Sequence, residues 1–133
     1  MTGVSEPRVA VVLPCYNEEA AIAATIAGFR AALPSATIYV FDNNSSDATV
    51  QIARAAGAVV RGERQQGKGH VVRRMFADVD ADVYVMADGD LTYDPKAAPA
   101  MVAMLVADQL DMVVGTRQHE VTDAYRGGHV LGN

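Results

Sequence analysis

In the stretch Tyr84-Val-Met-Ala-Asp88-Gly-Asp90-Leu-Thr-Tyr93-Asp94, an apolar run ends on two carboxylates separated by one glycine. Residues two apart on an extended strand face the same side and lie roughly 7 Å apart, too far for both carboxylates to meet one ion. The backbone must therefore curl, and Gly89 permits this because it has no Cβ. Two hard oxygen donors so arranged suit Mg²⁺ or Mn²⁺, which leaves its remaining positions to water and substrate phosphates. The same residues also suit a strand that closes in a polar Asp-Gly turn, and residue types alone leave both readings open.

A second candidate precedes it, in Arg61-Gly62-Glu-Arg64-Gln-Gln-Gly67-Lys68-Gly69-His70. Gly62 through Gly69 reads G-x-x-x-x-G-K-G, but Gly69 stands where a P-loop needs a Ser/Thr hydroxyl for Mg²⁺. Val72 stands where the dinucleotide fingerprint needs its third glycine. What survives is a cationic glycine loop before a helix, suited to an anion, with Lys68 as a point charge. A solvated loop tip has the same composition. Two further polar groups complete the set. Tyr16 and Glu18 follow the first apolar run, and Asp42-Asn43-Asn44-Ser45-Ser46-Asp47 follows the second, with more hydrogen-bonding capacity than one helix cap requires.

These residues are carried by an alternation of strands and helices. Residues 9–13 form a continuous apolar run closed by Pro14, as in a buried parallel strand. A helix is expected over 20–33, with Asn17 as its N-cap and Glu18 and Glu19 in its first turn. Strand 37–41, helix 48–56 ended by Gly57, and a short strand 58–60 follow. A helix over 71–77, strand 82–87, a helix over 96–107 opened by Pro95, and strand 111–115 complete the alternation. Met101, Met104 and Leu105 have core spacing on the fourth helix. Thr116 and Arg117 leave the last strand. Residues 118–133 show no period, and His119 and His129 read as surface histidines. The expected fold is a doubly wound, mostly parallel α/β sheet with helices on both faces and its polar loops at the strands' carboxyl ends.

At 133 residues with half of them hydrophobic, the chain suits one domain, with a core over about 8–117 and an irregular tail. A net charge of −5 argues against nonspecific nucleic-acid binding, so no nucleic acid is expected as a partner. Arg61, Arg64, Lys68, Arg73 and Arg74 are followed closely by Asp78, Asp80, Asp82, Asp88, Asp90 and Asp94. That order suits a site holding both an anion and a cation. Cys15 is alone, which rules out an internal disulfide and suits a reducing compartment. Neither a signal peptide nor an apolar run long enough to span a bilayer is apparent, so the expectation is a cytoplasmic chain, at most peripheral to the membrane.

The motifs in order are Pro14-Cys-Tyr16-Asn17-Glu18, Asp42-Asn43-Asn-Ser-Ser-Asp47-Ala-Thr49, Gly67-Lys68-Gly69, Asp88-Gly89-Asp90 and Gly115-Thr-Arg117. Together they resemble the nucleotide-binding half of a family 2 glycosyltransferase of the GT-A fold, close in type to dolichyl- or polyprenyl-phosphate sugar synthases. The resemblance covers essentially the whole chain. It implies that Pro14, Tyr16 and Glu18 line the nucleoside pocket, and that Asp42 and Asn43 contact the base. Asn43 departs from the usual Asp-Asp pair, which leaves uracil and guanine both open. Gly67 and Lys68 would approach the diphosphate. Asp88, Gly89 and Asp90 would form the DxD motif, in which Asp88 and Asp90 hold Mg²⁺ or Mn²⁺. Arg117, and more distantly Arg126, resemble positions that meet the acceptor phosphate.

The implied reaction is inverting transfer of a sugar from a UDP- or GDP-linked donor, with Asp88, Asp90 and Arg117 as its catalytic residues. A polyprenyl phosphate at a membrane surface is one implied acceptor. A hydroxyl acceptor would need a general base from beyond the DxD region. Relatives continue past the equivalent of Asn133, so a C-terminally truncated GT-A fold is expected. Sheet surface left uncovered in such a fold favours homo-oligomerisation. The alternatives are a nucleotide-sugar binding module without transfer activity and a sugar-phosphate nucleotidyltransferase. The latter should carry a Gly-rich basic loop after its first strand, where this chain has Pro14-Cys-Tyr-Asn-Glu18.

Overall fold

The first strand decides the layering. β1 (Val9–Cys15) carries no charged side chain and is buried along nearly its whole length, which requires cover on both faces. The computed structural model describes residues 7–90 and 94–108 and supplies that cover. Val11, Leu13 and Cys15 pack with Ile22, Ile26 and Phe29 of α1 (Ile22–Ala32), Ala53 of α2 (Thr49–Ala55) and Ala98 of α4 (Ala98–Ala107). Ala10 and Val12 face the opposite layer, against Val71 and Met75 of α3 (Lys68–Asp78). Successive residues of one strand thus build two cores.

β1 pairs in parallel with β2 (Thr37–Asp42), where Cys15 lies opposite Asp42, and with β4 (Val83–Met86), where Val12 lies opposite Met86. β3 (Val59–Gly62) extends the sheet from β2, giving the order β3-β2-β1-β4. The chain therefore builds outward from β1 to β3 and then returns to the other side of β1. The winding reverses between β1 and β4, and open α/β sheets hold ligands in the crevice at such a point.

Several boundaries differ from expectation for local reasons. α3 begins at Lys68 rather than at 71, because Gly67 adopts φ +125° and its carbonyl accepts from both His70 and Val71. Lys68 accordingly stands on the first turn of a helix rather than on a loop. α1 begins at Ile22, after a turn in which the Glu18 carbonyl accepts from Ala21 and Ile22. Pro95 opens a 3₁₀ turn, Pro95–Ala97, capped by the Asp94 carboxylate on the Lys96 N–H, and α4 follows it. Ala98 is the buried residue of α4, while Met104 is exposed and Met101 and Leu105 are half-buried. The expected core spacing on that helix is therefore not filled among the described residues. No helix among them is long and apolar enough to cross a membrane. The expected strand 111–115, Arg117, Arg126, His119, His129 and the tail 118–133 lie outside them.

Candidate active site

The loop after β1 is locked to the loop after β2. Asn17, expected to cap α1, instead takes φ +53° and turns its side chain away from that helix. Its Oδ1 accepts from Ser46 N at 2.8 Å, and its own N–H donates to Ser45 Oγ at 2.8 Å. Glu19 also caps across the gap, its Oε1 accepting from Ala48 N at 3.0 Å. The residue before α1 has no side-chain cap. Glu18 is held by its backbone, whose N–H donates to Thr49 Oγ1 at 2.8 Å, and that hydroxyl in turn donates to Asp47 Oδ1. Glu18 is thereby fixed at the carboxyl edge of β1 with its side chain half-buried, and Tyr16 beside it is 52% exposed.

On the other side of the switch point, Gly89 packs against the same loop. A Cβ on Gly89 would lie 2.6 Å from Cys15 Sγ, 3.2 Å from Ile22 Cδ1 and 3.7 Å from Glu18 Cγ. This close approach requires the glycine, whose φ lies outside the left-handed region, and the chain turns at Gly89 and Asp90, as the expected curl requires. The buried Thr25 on α1 donates to the Gly89 carbonyl at 3.3 Å and to Ala21 O at 3.0 Å. Asp88 and Asp90 flank this anchored glycine, so β1, α1 and β4 jointly set their position.

The electrostatics of the crevice are acidic. Burial, then the charges of Asp90, Asp88 and Asp47, push the Glu18 carboxyl above its usual range. Burial, then Glu18, Asp42, Asp88 and Asp90, push the Cys15 thiol up to about 12, which keeps it protonated. Its Sγ donates to the Leu13 carbonyl at 3.5 Å. Lys68 answers this charge from α3, with Nζ 2.6 Å from Asp88 Oδ1.

Asp42 and Asn43, adjacent in sequence, are used differently. Both are buried. Asp42 Oδ2 accepts from Ser45 N at 3.0 Å, while Oδ1 is buried with no hydrogen-bond partner among the described residues. A buried acceptor in that state is costly until an N–H reaches it. Asn43 has its side chain committed to the protein: Nδ2 donates to the Glu63 and Gln65 carbonyls, and Oδ1 accepts from Gly67 N. The Asn43 side chain thus ties the end of β2 to segment 63–67. Pro14 is buried beneath the crevice, and Gly67 and Lys68 line its α3 side.

Carboxylates whose mutual repulsion is already visible on Glu18 and Cys15 fit a divalent cation. Among the described residues no group of three or more Asp, Glu, His or Cys side chains could hold a metal ion by itself. Asp88 and Asp90 offer oxygen donors of the kind that Mg²⁺ or Mn²⁺ take, ions that keep open positions for water and phosphate. Thr25 was not singled out by sequence. For Thr25 a signal existed, since it is a polar residue on the helix face that also carries Ile22, Ile26 and Phe29.

A parallel sheet with an acidic, lysine-answered crevice at its switch point defines a doubly wound α/β domain. The chain belongs to Glycosyl transferase family 2, whose pattern it matches over residues 10–132, and it is a family 2 glycosyltransferase. Protein RfbJ of Shigella flexneri is 57% identical over 123 residues, covering 92% of this chain and 95% of that protein. A dolichyl-phosphate hexose transferase of Haloferax volcanii is 34% identical over 117 residues, covering 88% of this chain but 51% of that protein. Among solved structures, M. tuberculosis glucosyl-3-phosphoglycerate synthase in complex with UDP superposes with a TM-score of 0.72 at 29% identity. The match covers 82% of this chain and 43% of the synthase. The same synthase with Mn²⁺, UDP and glucosyl-3-phosphoglycerate matches with a TM-score of 0.68 at 30% identity, over 74% of this chain and 39% of its own. The GT-A fold expected from the sequence is thus present, and apart from RfbJ these relatives are about twice the length that the chain spans or more.

Proposed function

We propose that this domain binds a nucleotide diphosphate sugar with Mg²⁺ or Mn²⁺ and transfers the sugar, with inversion, to an acceptor such as a polyprenyl phosphate. The observation that carries the reading is the meeting of Glu18, Asp88 and Asp90 with Lys68 at the sheet's switch point. In this reading Tyr16 and Glu18, above the buried Pro14, border the nucleoside. The unpartnered Asp42 Oδ1 takes an N–H from the base, and both uracil and guanine offer one. Asp88 and Asp90, joined by Gly89, hold the ion. When bound, the ion supplies Lewis-acid stabilisation of the diphosphate leaving group.

Lys68 places a further positive charge, on a helix N-terminus, where anions are favoured. Arg117 meets the acceptor phosphate. A phosphate acceptor is already anionic and needs no strong base. A relative that is a dolichyl-phosphate hexose transferase and a neighbour that holds Mn²⁺ and UDP support the acceptor and donor classes respectively. Self-association of the domain belongs to the same proposal, and a monomer in light scattering at micromolar concentration would count against it.

Calorimetry with UDP, GDP and ADP, each with and without Mn²⁺, tests the reading. Metal-dependent binding of one diphosphate well above the others is the expected result, and it names the donor to use in a transfer assay. Donor binding without turnover would leave a nucleotide-sugar binding module. Equal, metal-independent affinity for all three sinks the proposal.

A further inference from the structure

Asn43 has all its polar groups engaged within the protein. Its N–H donates to the Cys15 carbonyl at 2.9 Å, and its own carbonyl accepts from Gln66 Nε2 at 3.3 Å. The side-chain amide donates to Glu63 O at 2.8 Å and Gln65 O at 2.9 Å, while Oδ1 accepts from Gly67 N at 2.9 Å. Asn44 adds a parallel pair of bonds, from Nδ2 to Arg64 O at 2.8 Å and to Gln66 Oε1 at 2.9 Å. The segment between β3 and α3 is therefore shaped from the end of β2. At its far end stands Gly67, whose carbonyl starts α3, followed at once by Lys68 with its ammonium against Asp88.

We infer that Asn43 is a positioning residue for the Lys68 charge, bracing segment 63–67 so that α3 begins where its first side chain reaches the diphosphate position. This deepens the donor-binding proposal above and rests on it. The residue type follows from the partners. Two facing carbonyls need two N–H donors, and one backbone N–H needs an acceptor, a set that a carboxamide supplies and a carboxylate cannot. An Asp at 43 would keep the acceptor for Gly67 but turn oxygen toward the Glu63 and Gln65 carbonyls. Asp42, one residue earlier, keeps a free acceptor for a base. The base side and the phosphate side of the donor thus share a wall, and Asn43 joins them.

The test compares UDP and uridine binding, with Mn²⁺ present, for the wild type, Asn43→Asp, Lys68→Ala and the double variant, each checked for native circular dichroism. Asn43→Asp should cut the preference for UDP over uridine by about tenfold, as Lys68→Ala does, with uridine affinity kept. Because Asn43 acts through Lys68, the double variant should lose no more than either single one. Equal loss of uridine and UDP would make Asn43 a base contact, and additive losses would make it independent of Lys68; either overturns the inference. Amide hydrogen exchange without ligand provides a second reading, in Asn43→Ser, whose single short hydroxyl replaces the two amide donors and the carbonyl acceptor. Protection of Gly67 should fall at least about tenfold there, and unchanged protection overturns the brace whatever the ligand does. A wild type indifferent to the diphosphate removes the donor reading, while Gly67 protection lost in Asn43→Ser still establishes the brace.

Discussion

Lys68 Nζ stands 2.6 Å from Asp88 Oδ1, joining the first turn of α3 to the carboxyl end of β4 across the switch point. The lysine side chain is 58% exposed, so the pair contributes little to stability and its charge is accessible to a ligand.

Lys68→Ala should therefore leave the fold unchanged and weaken UDP at least about tenfold while leaving uridine nearly unaffected. Titration of both ligands by calorimetry separates the outcomes. An equal loss for nucleoside and diphosphate would place Lys68 away from the phosphates.

The contact between Gly89 and Cys15 sets a second expectation. Gly89→Ala would force its Cβ to within 2.6 Å of Cys15 Sγ, and overpacking of this kind costs about 1–3 kcal/mol. Cys15→Ala removes that sulfur, so the double variant should recover at least about 0.5 kcal/mol beyond additivity in urea denaturation. Strict additivity would mean that the strain at Gly89 lies against Ile22 or the backbone.

Much of this frame was legible in the sequence. The apolar strand runs fixed β1 and β2 closely, and the Asp88-Gly-Asp90 and Gly67-Lys68 motifs were found by residue type. What escaped was anything that depends on two loops meeting. Asn17 read as a helix cap because capping residues are judged by neighbours in sequence, yet its partners are Ser45 and Ser46. The partners of the Asn43 side chain escaped for the same reason, lying about twenty residues ahead. Gly89 read only as a place for the chain to curl, because the sequence does not show that Cys15 lies beside it. The start of α3 was placed late because Gly67 and Gly69 read as loop, although Gly67 supplies the left-handed φ from which the helix begins.

Glu18 gives the domain a pH dependence of definite sign. Its carboxyl is raised in the folded state by burial, then by Asp90, Asp88 and Asp47, so the folded protein holds that proton more tightly than the unfolded chain. The stabilisation is present below the ordinary glutamate value of about 4.3 and is lost as pH rises through the folded value. Glu18→Gln should consequently raise Tm at pH 7 and lose most of that advantage at pH 4. The same Tm gain at both pH values would mean that the carboxylate is not under charge stress.

Asp90→Ala addresses the ion. Asp90 is half-buried at the rim of the crevice, so its removal leaves no core cavity and the variant should fold with a Tm within a few degrees of the wild type. Mn²⁺ should then no longer enhance UDP binding, and chelation of the wild type with EDTA should reproduce the variant's UDP affinity. The two treatments remove opposite halves of one contact, so applying both should cost no more than either alone. If EDTA weakens UDP binding further in Asp90→Ala, a cation is held without this carboxylate, and Asp88 with Glu18 becomes the pair to replace next.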